Sequence, residues 1–122
     1  MLKIIAVIFG LVLLVIGVLG FIPGIAPNGM LLGIFMVDTV HNIIHIASGI
    51  LALLAATSTQ YASLYFKVFG VIYGAVTILG FALHGDMMVT NFNNADNGLH
   101  LVIALIALYL GFFYKTPIIN ET

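Results

Sequence analysis

The chain has 122 residues, of which 63% are hydrophobic and only 6% charged, with three basic and four acidic side chains and a net charge of −1. A soluble domain ordinarily carries about a quarter charged residues, so the solvent around most of this chain must be lipid. The near-neutral balance and the lack of arginine leave no footprint for nucleic acid. The lack of cysteine removes disulfides, thiolate metal sites, iron–sulfur clusters and cysteine nucleophiles.

In chain order, apolar runs over residues 2–22, 41–56, 64–83 and 99–113 predict four membrane-spanning helices of one domain. A hydrocarbon core of about 30 Å needs roughly 20 helical residues. The second and fourth runs are shorter, so their polar starts (37–45 and 95–100) must complete the span. Continuous rather than alternating hydrophobicity argues against a β-barrel.

The first and third runs share a pattern. Phe9-Gly10 and Leu19-Gly20-Phe21 return as Phe69-Gly70 and Leu79-Gly80-Phe81, at a constant offset of 60 residues. His41-Asn42-Ile43-Ile44-His45 aligns with Asp96-Asn97-Gly98-Leu99-His100 at an offset of 55. The reading is an all-α integral membrane bundle of two tandem, parallel helical-hairpin repeats, residues 1–57 and 62–115. Two spans begin and end on one side, so the copies relate by an axis along the membrane normal. Lys3, Lys67 (in the turn after the second helix) and Lys115 all fall at one end. The positive-inside rule makes that end cytoplasmic, with both termini inside a cell (inner) membrane. Tyr61, Tyr65, Tyr109 and Tyr114 fit an aromatic belt there, while the histidines and aspartates gather toward the outer face.

Residues four apart share a helix face, so His41 points with His45, and Asp96 with His100. If the two faces meet, three imidazoles and a carboxylate converge. Three readings compete. A divalent metal such as zinc would be held by His41, His45, Asp96 and His100, a donor set able to fill a tetrahedral site. A haem would take His45 and His100 as axial ligands, although no lysine or arginine lies on that side for its propionates. Alternatively the polar groups are interhelical hydrogen-bond glue in a structural or accessory subunit, with Asn42 meeting Asn97, and Asp38 and Asn93 or Asn94 capping helix starts. A proton-transfer role is open to the histidine–aspartate pairs, but hydrolase and phosphate-loop motifs are missing, so catalysis is not the leading reading. His84 reads as an exposed loop residue and Met87-Met88 as interfacial. Partners would be the lipid bilayer, other membrane proteins or a second copy.

The stretch Gly33 to Asp38 with the HNxxH pattern, Ala95-Asp96-Asn97 with Leu99-His100, and Leu19 to Gly24 together resemble a bacterial family of small four-span membrane proteins, catalogued as domain of unknown function 4383. The resemblance covers nearly the whole chain. It implies the four-helix membrane fold and the importance of the two histidine patterns, and supplies no activity or cofactor.

Overall fold

The computed structural model describes residues 1–114. Lys115, with the carboxyl end of the second predicted repeat, lies outside the described residues. Four helices dominate: α1 (Leu2–Leu19), α2 (Thr39–Ala55), α3 (Thr59–Ala82) and α4 (Asn94–Leu108). A π-helical turn, Tyr109–Phe113, prolongs α4. Among the described residues, α1, α3 and the prolonged α4 are long and apolar enough to cross a membrane, while α2, with 17 residues, is shorter.

Each start has a local cause. Asp38 accepts from the N–H of His41 at 2.8 Å, Ser58 from that of Tyr61 at 3.0 Å, and Asn93 from that of Asp96 at 2.9 Å. A helix leaves its first N–H groups without backbone partners, and side-chain oxygens at the cap satisfy them. The cap at Ser58 starts α3 five residues before the expected apolar run. Lys67 therefore lies within α3 rather than in a turn, and α2 and α3 are joined by only Ala56–Ser58.

The segment between α1 and α2 is not a plain loop. Met30–Leu31 (β1) and Phe35–Met36 (β2) pair antiparallel, with Met30 opposite Met36. Leu32, Gly33 and Ile34 close this ribbon, the first two with φ of 55° and 72°, the positive values that tight hairpin connections use.

Helix α1 packs chiefly on α2, and α3 on α4. Gly10 and Gly49 set the first approach: a Cβ at Gly10 would stand 2.8 Å from the Gly49 carbonyl oxygen. In the second pair, a Cβ at Gly70 would stand 2.9 Å from the Leu108 nitrogen. Small residues let such apolar helices approach closely, which is what holds helices together wherever the surroundings are as apolar as they are. At the end near Met1 and Ser58, the core holds Leu2, Ala6, Ala62, Phe66 and Ala107. Phe9 meets Phe66 and Phe69 edge-on, with centroids 5.3 and 5.1 Å apart. The opposite end carries the polar residues.

Candidate metal centre

The first two turns of α2 and the second turn of α4 bring three imidazoles together. His41 and His45 share one face of α2, with ring centroids 4.4 Å apart. His100 comes from the second turn of α4, at 5.3 Å from His41 and 6.2 Å from His45. One ring nitrogen from each lies within 4.8 Å of the others, and each residue is no more than 3% exposed. Phe92 packs against His41 and His100, and Tyr73 stands edge-on to His100. These rings exclude water and fix the imidazoles' positions.

Hydrogen bonding settles one tautomer. His41 Nδ1 is 3.1 Å from the carbonyl oxygen of Met36 in β2. A carbonyl only accepts, so Nδ1 carries the proton and Nε2 keeps its lone pair. That Nε2 is buried without a hydrogen-bond partner, as are His45 Nδ1 and His100 Nδ1. Buried polar atoms are nearly always satisfied, so three such nitrogens in one cluster need a physical reason. A cation is one. The imidazole set suits zinc, and a backbone carbonyl on the far nitrogen is the usual outer support of a ligating histidine. Tetrahedral bonds of 2.0–2.1 Å would separate the nitrogens by roughly 3.3 Å, inside the 4.8 Å within which the three ligand atoms lie.

Asp96 is 2% exposed and lines the same cavity as the three histidines, but it does not join their ligand group. Its Oδ2 accepts from the N–H of Asn93 at 3.0 Å, closing a reciprocal capping box with Asn93. The box turns the carboxylate toward its own helix start. The asparagines expected to meet each other instead lie against glycines on the neighbouring helix. A Cβ at Gly20 would collide with the Asn42 amide, and one at Gly80 with the Asn97 amide. Asn97 Nδ2 donates to the Gly80 carbonyl at 3.3 Å. Both Oδ1 atoms are buried without partners.

Two further bonds tie the halves together. Thr90 donates to Asp38 Oδ2 at 2.6 Å, and Asn93 Nδ2 donates to the Ile34 carbonyl at 2.8 Å. No motif signals Met36, Thr90, Phe92 or Tyr73; the first three reach the centre because the connections fold back over it, and Tyr73 because α3 packs on α4. His84 is exposed in the turn after α3, with φ of 53°, away from the cluster.

A haem between His45 and His100 does not fit. The cavity bordering both is about 130 Å³, whereas cofactor sites run to about 300–1,000 Å³. His41 and Phe92 already occupy the space around His100 that a macrocycle would need.

Over residues 3–113 the chain matches the family described as "Domain of unknown function (DUF4383)". Among curated proteins and solved structures, nothing matches it. The chain belongs to the DUF4383 family.

Proposed function

We propose that this protein is a four-span membrane bundle, made of two copies of one helical hairpin, that binds a divalent metal such as zinc on His41, His45 and His100. The observation that carries the reading is the convergence of three buried imidazoles, each with a ring nitrogen lacking a partner.

The duplication is supported by contacts that recur at the offsets of the sequence pattern. Gly20 abuts Asn42 as Gly80 abuts Asn97, and Gly10 abuts Leu53 as Gly70 abuts Leu108. Asp38 caps α2 as Asn93 caps α4. Four spans are supported by the exposed apolar flanks of α2, where Ile43, Ile50, Leu51 and Leu54 are unprotected. Seventeen residues reach roughly 26 Å, a mismatch that a bilayer accommodates at small cost. Lys3 and Lys67, at the end opposite the centre, support a cytoplasmic amino terminus and a metal just inside the outer face of the cell membrane.

Purified protein, loaded with zinc and washed, is expected to keep about one zinc per chain. The cobalt form should show the visible absorption of a tetrahedral ion. His41→Ala, His45→Ala and His100→Ala should each abolish both signals. Absence of stoichiometric metal, or retention in all three variants, removes the reading.

A second reading, a structural or accessory subunit, is favoured by the bonds from Thr90 to Asp38 and Asn93 to Ile34, which lock the hairpins together without any metal. On that reading, the protein co-purifies with other membrane chains and its stability is indifferent to zinc.

A further inference from the structure

The surroundings of the three histidines extend along the molecule. A cavity of about 220 Å³ borders His41 and His100 and is walled by Ile44, Ile72 and Tyr73. The same three residues form one end of a larger groove, about 460 Å³, between α2 and α3. From there it runs past Leu51 to Leu54 on α2 and to Leu64 on α3. The seam is open for a packing reason. Glycine contacts hold α1 tightly to α2 and α3 tightly to α4, while nothing comparable draws α2 onto α3. Polar groups along it are turned inward: the Tyr65 hydroxyl donates to the Ser48 carbonyl at 2.9 Å.

The geometry points to one occupant, a long-chain carboxylate, with its hydrocarbon tail in the α2–α3 groove and its anionic oxygens on the metal held by His41, His45 and His100. The inference rests on the metal reading above. Three imidazoles leave one position of a tetrahedral ion for an external ligand. Three neutral ligands also leave the ion's two positive charges uncompensated in an apolar pocket, where an anionic oxygen is the favoured donor. The carboxylate in that pocket, Asp96, is committed to its helix start. The groove is lined by apolar side chains with Ser48, Tyr61 and Tyr65 among them, and imidazoles border the adjoining cavity at its end, which is the polarity of an amphiphile. From Ile44 to Ala55 it spans twelve helical residues, a rise of roughly 16 Å. An extended chain advances about 1.2 Å per bond, so about 13 carbons fill it. A two-chain lipid would need a second groove reaching the same ion.

The test uses hexadecanoic acid carrying a diazirine near its methyl end, photolysed with the purified full chain in the presence and absence of zinc, alongside a diazirine alkane lacking the carboxylate. Expected is saturable labelling within Leu51–Leu54 or near Leu64. It is competed by palmitate and falls at least tenfold without zinc and in His45→Ala. Leu51→Trp, at a position 57% exposed, should block the label while leaving zinc stoichiometry intact. If zinc binds but labelling is independent of zinc and equal for the alkane, the groove is ordinary lipid contact and the proposal fails alone. It also fails if zinc binds and the groove stays unlabelled, including where cross-linking finds a second copy seated there. If zinc itself does not bind, the metal reading falls and this proposal with it.

Discussion

The contact between Gly20 and Asn42 allows a sharp test of how α1 and α2 are held beside the histidines. In Gly20→Ala the new methyl would overlap the Asn42 side-chain amide. Asn42 is 2% exposed and has no free space to turn into. Overpacking of this kind costs about 1–3 kcal/mol. Asn42→Ala removes the obstacle, and because Asn42 Oδ1 has no partner, little hydrogen bonding goes with it. The double variant should therefore be about as stable as Asn42→Ala alone, a coupling of about 1–3 kcal/mol in the double-mutant cycle. The second hairpin supplies a parallel cycle with one difference. Asn97 Nδ2 donates to the Gly80 carbonyl at 3.3 Å, and interhelical bonds in bilayers average about 0.6 kcal/mol. Asn97→Ala should thus cost that much more than Asn42→Ala, with a similar coupling to Gly80→Ala. Detergent-denaturation curves in bicelles give the four free energies of each cycle. Additivity within about 0.5 kcal/mol in either cycle would refute the glycine–asparagine contact as the determinant of how closely the helices approach. Zinc affinity offers a second readout: Gly20→Ala displaces the start of α2, which carries His41 and His45, and should weaken binding.

Other outcomes follow from the same packing. Phe66→Ala, at a fully buried site far from the histidines, opens a void of about 100 Å³; at about 24 cal/mol per Å³ this destabilises by about 2.4 kcal/mol. The transfer part of the usual cost vanishes because the unfolded chain still sits in lipid. The same denaturation assay measures it, and zinc stoichiometry should not change. Asp96→Asn keeps an oxygen to accept from the Asn93 N–H, so elemental analysis should still find about one zinc per chain, whereas loss of metal would make the carboxylate a ligand. The chain has no cysteine, so single thiols report orientation cleanly. In intact cells an impermeant maleimide should label Met88→Cys, at a position 95% exposed, and reach Gln60→Cys only after the membrane is opened.

Some of this arrangement is legible in the residues and some is not, for physical reasons. Apolar runs announce helices because lipid leaves the backbone no other way to satisfy itself within an isolated segment. The i,i+4 spacing puts His41 beside His45 on any helix. The fate of Asp96 is harder to read. It stands four residues before His100, which suggests a shared face, but also three after Asn93, which is the spacing of a capping box. The cap prevails because the first turn of a helix has N–H groups to satisfy and the cluster does not require the carboxylate. The β1–β2 ribbon escaped because each strand is two residues long and its turn places a leucine at positive φ, a conformation with no leucine signal. That ribbon matters, since its Met36 carbonyl orients His41.

On the duplicated reading, positions 41 and 96 are equivalent, and their difference gives the centre its chemistry. A perfect doublet would surround the axis with four like ligands, a closed set suited to a structural ion. In the first copy Asp38 caps α2 by itself, which leaves position 41 free to carry an imidazole held by the Met36 carbonyl. In the second copy the cap is the neutral Asn93, and the carboxylate at position 96 completes it. The acid has thus moved from the cap in one hairpin to the first helical turn in the other. Three imidazoles remain as donors and the fourth place stays open. An open place on a zinc ion is where an outside ligand binds, so on the proposed reading the divergence of the two hairpins, more than their likeness, is what would let a metal held there engage something else.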